Sequence, residues 1–266
     1  MMRYIVGMET SGRTRDALIA LGHEAISVDL LPAQVPGPHH QGDVFVFLDA
    51  DSRFDFGLFH PDCTYHTVSA AWAFKDPDFE RYPGVGYHQR VKPETKTSEA
   101  RRAAREAAEA DVKRVRYLPM RKVIENPRGT LGRVLGAPHD VVQPYEFGSD
   151  ASKATCLWWF DENGDAMPRR LPRDPALWVK PRLWCPSCRQ CSPYDAAFGH
   201  GCVHCGGEAG RLMPRWANQT DSGQNRESPE ELRWQVRSDT YPGIAAAIAR
   251  QIVFEGPPKK AVDDLC

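Results

Sequence analysis

Two apolar segments of this sequence end in side chains that suit covalent chemistry. Cys63 follows the run 54–59 after a short Pro-containing loop, and Glu125 ends the run 121–125. If both runs are buried strands of an α/β sheet, their ends meet at the edge where ligand sites form. A thiol nucleophile beside a proton-donating carboxyl is suited to covalent attack on an electron-poor ring. The sequence therefore predicts an active site with Cys63 as nucleophile and Glu125 as acid.

The composition is that of an ordinary globular chain. The 266 residues are 41% hydrophobic and 26% charged with a formal net charge of −1, which suits one large domain or one domain with a small insertion. No apolar run reaches the length of a membrane span, and the start of the chain, 1–10, reads as a strand rather than a signal peptide. We therefore expect a cytoplasmic protein, in which cysteines tend to be catalytic or metal-bound.

The first thirty residues have the layout of a nucleotide-binding unit. An apolar run at 3–8 precedes a turn with Gly12, the spacing of 13–21 predicts a helix, and 23–29 reads as a strand that ends in Asp29. In nucleotide-binding βαβ units the glycine lets the backbone approach the ligand and the acid binds ribose hydroxyls. Because there is a single glycine, an ordinary βαβ unit with a capping loop is the alternative.

The remaining elements alternate between strands and helices. A helix is predicted at 98–115, with Ser98 as its N-cap and a solvated charged face, and another at 241–253. Strands are predicted at 54–59, 123–124, 141–142 and 155–160. Residues 75–97 read as a long surface loop, an insertion or lid, and 218–233 as a polar loop. This alternation predicts an open α/β sheet.

Five of the eight cysteines lie between 185 and 205. Cys185-Pro-Ser-Cys188 and Cys202-Val-His-Cys205 form two Cys-x2-Cys knuckles with thirteen residues between them, the spacing of a tetrahedral zinc ribbon. Four thiolates close such a site, so its predicted role is structural, and a ribbon too small for its own core needs the metal to fold. The substitutes, should one ligand be wrong, are Cys191, His200 and His204.

The segment 167–216, which contains the knuckles, is basic. It carries eight Lys and Arg against three Asp and Glu, a formal charge of +5. A tetrathiolate zinc site returns about two negative charges to it. Because of its basic flanks, this segment is a candidate for binding DNA phosphates.

Together these motifs resemble those of the DNA cytosine-5 methyltransferases, in particular the compact, divergent kind found in bacteriophage genomes. The resemblance spans nearly the whole chain outside the zinc insertion and 75–97. Met8-Glu-Thr-Ser-Gly12 resembles the first S-adenosylmethionine motif, His60-Pro-Asp-Cys63 the Pro-Cys nucleophile loop, and Glu125-Asn126-Pro127 the Glu-Asn-Val motif. Asp29 resembles the acid that holds the cofactor ribose, Asp43 the acid near the adenine, and 237–249 the closing motif beside the cofactor pocket.

The resemblance implies a fold and a set of ligands. The fold is a Rossmann-like S-adenosylmethionine-dependent methyltransferase sheet with helices on both faces, divided into a catalytic domain (1–165 and 214–266) and a zinc-ribbon insertion (166–213). The implied ligands are S-adenosylmethionine, structural Zn2+ and DNA with a flipped cytosine. The resemblance implies no membrane partner. It implies a location in the cytoplasm, which for a phage protein is that of the host. The implied cofactor contacts are Glu9, Thr10, Ser11, Gly12, Asp29, Asp43 and Pro61, and the implied substrate contacts are Asn126 and Lys153.

The resemblance also implies a mechanism. Carbon 5 of cytosine is too weak a nucleophile to take a methyl group from a sulfonium unaided. A Cys63 thiolate that adds at carbon 6, with Glu125 donating to N3, turns the ring into an enamine. Carbon 5 then attacks the methyl group, and loss of its proton expels the cysteine.

The sequence departs from the family in three places. Asp62 stands where the family has a second proline, and a charged Asp62 facing inward would oppose formation of the Cys63 thiolate. Lys153 stands near the place of a family arginine. Of the recognition domain only 165–215 remains, mostly zinc ribbon, which predicts short or relaxed sequence specificity, or a substrate other than duplex DNA.

Two alternative functions follow. Thiol addition at carbon 6 serves uracil as well as cytosine, so the alternative enzyme acts on a pyrimidine nucleotide, or uses another modified base or another one-carbon donor. The non-enzymatic alternative is a zinc-ribbon DNA-binding accessory protein on a decayed methyltransferase fold. A decayed fold is not expected to keep both cofactor acids together with the thiol and its acid partner. All four are present in this sequence, as Asp29, Asp43, Cys63 and Glu125.

Overall fold

The computed structural model describes residues 1–75, 95–221, 223 and 239–255. The loop predicted at 75–97 lies almost entirely outside these residues, as do most of the loop predicted at 218–233 and the start of the closing motif at 237–238. Within the described residues the chain forms a seven-stranded sheet covered by helices and a separate three-stranded sheet.

The larger sheet is mostly parallel. Its strands are β1 (Arg3–Gly7), β2 (Glu24–Asp29), β3 (His39–Gln41), β4 (Phe56–Phe59), β5 (Arg121–Pro127), β6 (Asp140–Val142) and β7 (Thr155–Phe160). They lie in the order β3-β2-β1-β4-β5-β7-β6, and β7 runs antiparallel to both of its neighbours. This order fits the expected Rossmann-like methyltransferase sheet. The strand order reverses between β1 and β4, and such sheets bind ligands at the carboxyl ends of the strands beside that point.

Helices cover both faces of this sheet, as expected. On one face lie α1 (Arg13–Ala20) and α6 (Pro242–Glu255). On the other lie α2 (Val44–Ala50), α3 (Ser98–Arg116) and α4 (Gly132–Leu135). The short helix α5 (Tyr194–Ala197) lies in the cysteine-rich segment.

The two faces follow from the alternation of side chains along each strand. In β1, Val6 packs on the side of α1 and α6, whereas Ile5 packs on the side of α2 and α3. Val123 and Ile124 divide in the same way in β5. Successive side chains of a strand point to opposite faces, so a strand covered on both faces reads as an unbroken apolar run. These are the runs from which the strands were predicted.

The smaller sheet contains the cysteine-rich segment. Its central strand is β8 (Arg182–Trp184), which pairs antiparallel with β9 (Cys191–Ser192) and with β10 (Met213–Arg215). The last strand ends two residues beyond 213, the expected end of the insertion. Three strands of two or three residues each bury few side chains, so this sheet depends on other interactions for its stability.

The smaller sheet is fastened to the larger one beside β6. Arg173 makes a bidentate ion pair with Asp140, at 2.8 and 3.0 Å. The ring of Trp216 stacks on that of Tyr145 with their centroids 4.4 Å apart, and Val179 N donates to Tyr145 O at 3.0 Å. Contacts on both the entering and the leaving chain therefore set the position of the cysteine-rich segment.

The structure corrects two expectations about α3. Ser98 is its first residue, and Thr97 precedes it in an extended conformation at the N-cap position, so the prediction of Ser98 as N-cap is wrong by one residue. The charged face is not wholly solvated, because Arg101 is only 4% exposed. Its guanidinium is turned toward the loop after β4.

Candidate active site and cysteine cluster

The register of the sheet brings the predicted active-site residues together at the carboxyl ends of the strands. Gly7 pairs with Phe59, and Phe59 pairs with Ile124, so β1, β4 and β5 end at similar levels. His60 N continues the pattern by donating to Gly7 O at 3.0 Å. The side chains that lie along this edge are Glu9, Asp29, Cys63 and Glu125.

The loop after β1 is a tight turn. Glu9 is buried, and its two carboxylate oxygens accept hydrogen bonds from Ser11 Oγ and from Gly12 N, the latter at 3.0 Å. Gly12 has a φ of 72°, and a Cβ there would lie 2.4 Å from Nη2 of the buried Arg15. Glycine therefore fits this position without strain where other residues do not. The turn presents a fixed backbone at the start of α1.

The closing motif lies against this turn. Gln34 Nε2 donates to Thr10 Oγ1 at 2.9 Å and to Asp239 Oδ1 at 3.0 Å. Arg13 donates to Thr240 O at 2.7 Å and pairs with Asp239 at 3.2 Å. The segment before α6 is thus joined to Thr10 of the turn through Gln34, and to the start of α1 through Arg13.

Two acids follow neighbouring strands at the same edge. Asp29 ends β2 and accepts from Leu31 N at 2.8 Å, and burial raises its pKa above the ordinary value. Asp43 is the N-cap of α2, a role in which its Oδ1 accepts two backbone hydrogen bonds, at 2.8 and 3.0 Å. Leu30, next to Asp29, is 69% exposed. An acid beside an exposed apolar side chain suits a ligand that carries both hydroxyls and a planar ring.

Asp62, the departure beside the predicted nucleophile Cys63, points outward. It is exposed, and its Oδ1 accepts from the backbone N and the Oγ1 of Thr64, at 2.8 and 2.5 Å. Burial raises the pKa of the Cys63 thiol, and the Asp62 carboxylate raises it further, whereas the Lys153 ammonium lowers it. The orientation of Asp62 therefore reduces, but does not remove, its opposition to the thiolate.

Glu125 is paired with a histidine. Its Oε2 lies 2.8 Å from His60 Nδ1, and the side chains are 6% and 10% exposed. His60 also lies close enough to Asp29 to oppose the effect of burial on the pKa of that acid. The sequence pattern places His60 in the same loop as Cys63 but predicts no role for it. Its position directly before the proline of that loop was the available signal.

The two predicted substrate contacts have defined partners. Asn126 Nδ2 donates to Pro61 O at 2.7 Å, and its Oδ1 is buried without a hydrogen bond to the described residues. Lys153 Nζ donates to Asp239 O at 3.2 Å, and its charge acts on Cys63 as described above. The structure thus places Lys153 near Cys63. It also assigns the carbonyl of Pro61, a predicted cofactor contact, to Asn126.

Arginines of α3 hold the loop after Cys63, a role that the sequence did not reveal. Arg101 donates to Thr64 O at 2.6 Å, and Arg105 donates to Tyr65 O at 2.9 Å. The Arg105 guanidinium lies over the ring of Phe74, 3.6 Å from its centroid. These contacts fix the backbone immediately after Cys63.

The four predicted metal ligands converge, with all four sulfurs within 4.8 Å of one another. The Sγ atoms of Cys185 and Cys205 are 3.7 Å apart. Those of Cys188 and Cys202 are 3.5 Å apart. A regular tetrahedron with Zn–S bonds of about 2.3 Å has edges of about 3.8 Å. Two of the six sulfur–sulfur distances therefore match those of a tetrahedral zinc site, and the others do not exceed 4.8 Å.

The proposed substitutes lie outside this cluster. Cys191 Sγ is 3.4 Å from Asp221 Oδ1, and His204 Nε2 is 3.2 Å from Cys191 O. Among the described residues, no other group of three or more His, Cys, Asp and Glu side chains has the spacing of a metal site.

Comparisons with known proteins add little. No protein-family model matches the chain, and no curated protein matches it. Among solved structures, one match is a protein described provisionally as a DNA modification methyltransferase encoded within a prophage, from E. coli. It is 13% identical, the match covers 69% of this chain and 57% of that one, and the TM-score is 0.34. This chain thus spans little more than half of that protein, and a likeness this weak supports no conclusion about fold or function.

No helix among the described residues has the length and apolar character needed to cross a membrane.

Proposed function

We propose that this protein methylates carbon 5 of cytosine in DNA, with S-adenosylmethionine as methyl donor and a covalent Cys63 adduct as intermediate. The observation that carries the proposal is the hydrogen bond from Asn126 Nδ2 to Pro61 O, which ties the strand of Glu125 to the loop of Cys63. It holds a thiol and a carboxyl on adjoining segments, at the edge where α/β sheets bind ligands. Activation of a pyrimidine needs a nucleophile for carbon 6 and a proton donor for N3, and these two residues supply them.

The proposed reaction has two stages. The Cys63 thiolate forms a bond to carbon 6, the 5,6 double bond shifts to the 4,5 position, and the electrons of the 3,4 double bond take a proton from Glu125 at N3. Carbon 5 is then part of an enamine and takes the methyl group, whose bond to the donor sulfonium breaks and leaves its electron pair on that sulfur. Loss of the carbon 5 proton to a base re-forms the double bond and releases the thiolate, and the N3 proton returns to Glu125. The two residues end in the state in which they began.

The cofactor is proposed to lie along the other half of the same edge. When bound, S-adenosylmethionine supplies an electrophilic methyl group on a sulfonium. The turn 9–12 presents its backbone at the start of α1, and Asp29 is a carboxylate suited to a ribose diol. Exposed Leu30 offers an apolar contact for a planar ring, and Asp43 lies just beyond the neighbouring strand. These donors and acceptors fit the group.

The zinc ribbon is proposed to contact the DNA. Its segment carries a formal excess of five positive charges before zinc is counted, and phosphate contacts by Lys and Arg supply most non-specific affinity for DNA. Contacts beside β6 fix the ribbon to the catalytic sheet. Lys153, near Cys63, is proposed to act on the substrate from the catalytic side.

The deciding experiment is the analysis of nucleosides after reaction. Incubation with labelled S-adenosylmethionine and cytosine-containing DNA, single-stranded or duplex, is expected to yield labelled 5-methylcytosine. Cys63→Ser is expected to abolish the label while cofactor binding persists, and full activity in that variant would rule out the covalent mechanism. Cys156→Ser is the matched control, because Cys156 is buried in β7.

Two other outcomes would change the proposal. Label on free pyrimidine nucleotides and none on DNA would favour the nucleotide as substrate, since thiol addition serves free and polymeric pyrimidines alike. Binding to DNA without transfer to any pyrimidine would favour the accessory DNA-binding function.

A further inference from the structure

We infer that His60 is a positioning residue for Glu125, whose carboxyl it holds by donating from Nδ1 to Oε2. The other carboxyl oxygen, Oε1, is thereby left to meet the pyrimidine. The catalytic meaning of this inference rests on the proposed function, whereas the hydrogen bond itself can be tested independently.

The contact is short and shielded from water. Nδ1 and Oε2 are 2.8 Å apart, and both side chains are at least nine-tenths buried. It is the hydrogen bond that the described residues offer to the Glu125 carboxyl. A glutamate has three rotatable bonds, so a single strong partner decides where its second oxygen points. Without His60, the described residues contain no group that fixes Oε1 toward the substrate.

His60 is itself held in place. Its backbone N–H extends the pairing of β1 with β4 by donating to Gly7 O at 3.0 Å. Its Nε2 is buried and makes no hydrogen bond to the described residues. An unpaired buried polar atom is costly, and an apolar side chain would avoid that cost. What the imidazole offers over an apolar side chain at this position is therefore its hydrogen bond to Glu125.

The pairing has a consequence for the proposed reaction. When N3 takes a proton from Glu125, a carboxylate remains in a buried site. The Nδ1–H of His60 stabilises that anion, because hydrogen bonds to ionised groups are stronger than neutral ones. His60 gives up no proton in this step and touches no reacting atom.

Two substitutions of His60 separate positioning from packing. His60→Asn places an amide N–H close to where Nδ1 lies and keeps a donor for Glu125, whereas His60→Leu removes the donor. We expect His60→Leu to lower kcat by about 100-fold through misplacement of the carboxyl, with KM for DNA and for the cofactor little changed. His60→Asn should recover most of the loss. The control is His23→Asn, because His23 precedes β2 and so lies at the amino ends of the strands, away from the site at their carboxyl ends.

The hydrogen bond is tested in the cofactor-free protein by proton NMR. An imidazole N–H bonded to a carboxylate gives a resonance far downfield. This resonance should be present in the wild type and in His23→Asn, and absent from His60→Leu and from Glu125→Ala. A resonance unaffected by Glu125→Ala, or none in the wild type, would overturn the pairing even if His60→Leu failed to fold.

The kinetic result distinguishes the two proposals. If the wild type methylates cytosine and His60→Leu has the same kcat, the positioning role of His60 is overturned. The proposed function is then unaffected. If the wild type methylates no pyrimidine, the proposed function is overturned. If its downfield resonance is nevertheless lost in Glu125→Ala, the pairing of His60 with Glu125 is supported. A fall in affinity without a fall in kcat would also contradict positioning, since the loss would then lie in binding.

Discussion

Asn126 Nδ2 lies 2.7 Å from the carbonyl oxygen of Pro61, and this hydrogen bond is buried. It joins β5 to the loop after β4, two segments that the sheet pairs only as far as Phe59 and Ile124. Beyond that pair the loop makes no further ladder bond to β5, and His60 N continues the ladder only on the β1 side, by donating to Gly7 O. The amide of Asn126 selects the direction that keeps Cys63 beside Glu125.

Replacing Asn126 should therefore affect both stability and activity. Asn126→Ala leaves the Pro61 carbonyl without its donor, which should lower the free energy of unfolding by about 1–3 kcal/mol. Methyl transfer should fall more steeply than stability, because the nucleophile loop loses its fixed direction. Urea unfolding and single-turnover kinetics measure the two effects. Asn163→Ala, on an exposed turn, is the control, and equal behaviour of the two variants would refute the role of the bond.

The charge of Asp62 should shift the pH dependence of the reaction. Asp62 adds to the effect of burial in raising the pKa of Cys63, so less thiolate is present at neutral pH. Asp62→Asn removes the charge but keeps an oxygen that can accept from Thr64. The pKa of Cys63 should then fall, and the rising alkaline limb of kcat/KM should move to lower pH. An unchanged limb would show that another group controls the rate.

The guanidinium of Arg101 should be needed for activity more than for folding. Arg101→Leu removes the donor to Thr64 O, so the backbone after Cys63 loses a contact of 2.6 Å. We expect a loss of activity on the order of 10-fold or more from misplacement of the thiol. Circular dichroism should show the helix intact, and Lys113→Ala, an exposed change on the same helix, should leave activity unchanged. Equal activity in the two variants would contradict the role of Arg101.

Asp29 should contribute to cofactor binding and not to the thiol chemistry. Hydrogen bonds to charged groups are worth about 1.5–3 kcal/mol, so Asp29→Ala should weaken binding of S-adenosylmethionine by about 10- to 100-fold. Calorimetry without DNA measures this directly. Cys63→Ser should bind the cofactor as the wild type does. Wild-type affinity in Asp29→Ala would place the ribose elsewhere.

The parts of the site found from sequence are those marked by local patterns. The strands before Cys63 and Glu125 were visible because a strand covered on both faces is apolar throughout, and the zinc knuckles were visible because their ligands are close in sequence. By contrast, α2 was not identified, since its residues Val-Phe-Val-Phe-Leu are as typical of a strand as of a helix. The N-cap Asp43 decides between the two.

The parts that were missed depend on contacts between distant residues. His60 is 65 positions from Glu125, and Arg101 is 37 positions from Thr64. The place of His60 before the proline of its loop marks a position of interest but names no partner, and an arginine in a charged helix looks ordinary until the sheet places its partner. The outward orientation of Asp62 likewise follows from its bonds to Thr64, which a pattern of residue types cannot show.

The predicted zinc ribbon should fold only with its metal, although the larger sheet should not need that metal. Its sheet has strands of two and three residues, too short to be stable alone, whereas the larger sheet has its own buried cores on both faces. Metal analysis should find about one zinc per chain, retained in Cys191→Ser and lost in Cys188→Ser. A strong chelator should expose 182–215 to proteolysis while the rest of the chain stays protected. A metal-free protein with a protected ribbon would refute the assignment, and loss of zinc in Cys191→Ser alone would mean that Cys191 replaces one of the four ligands.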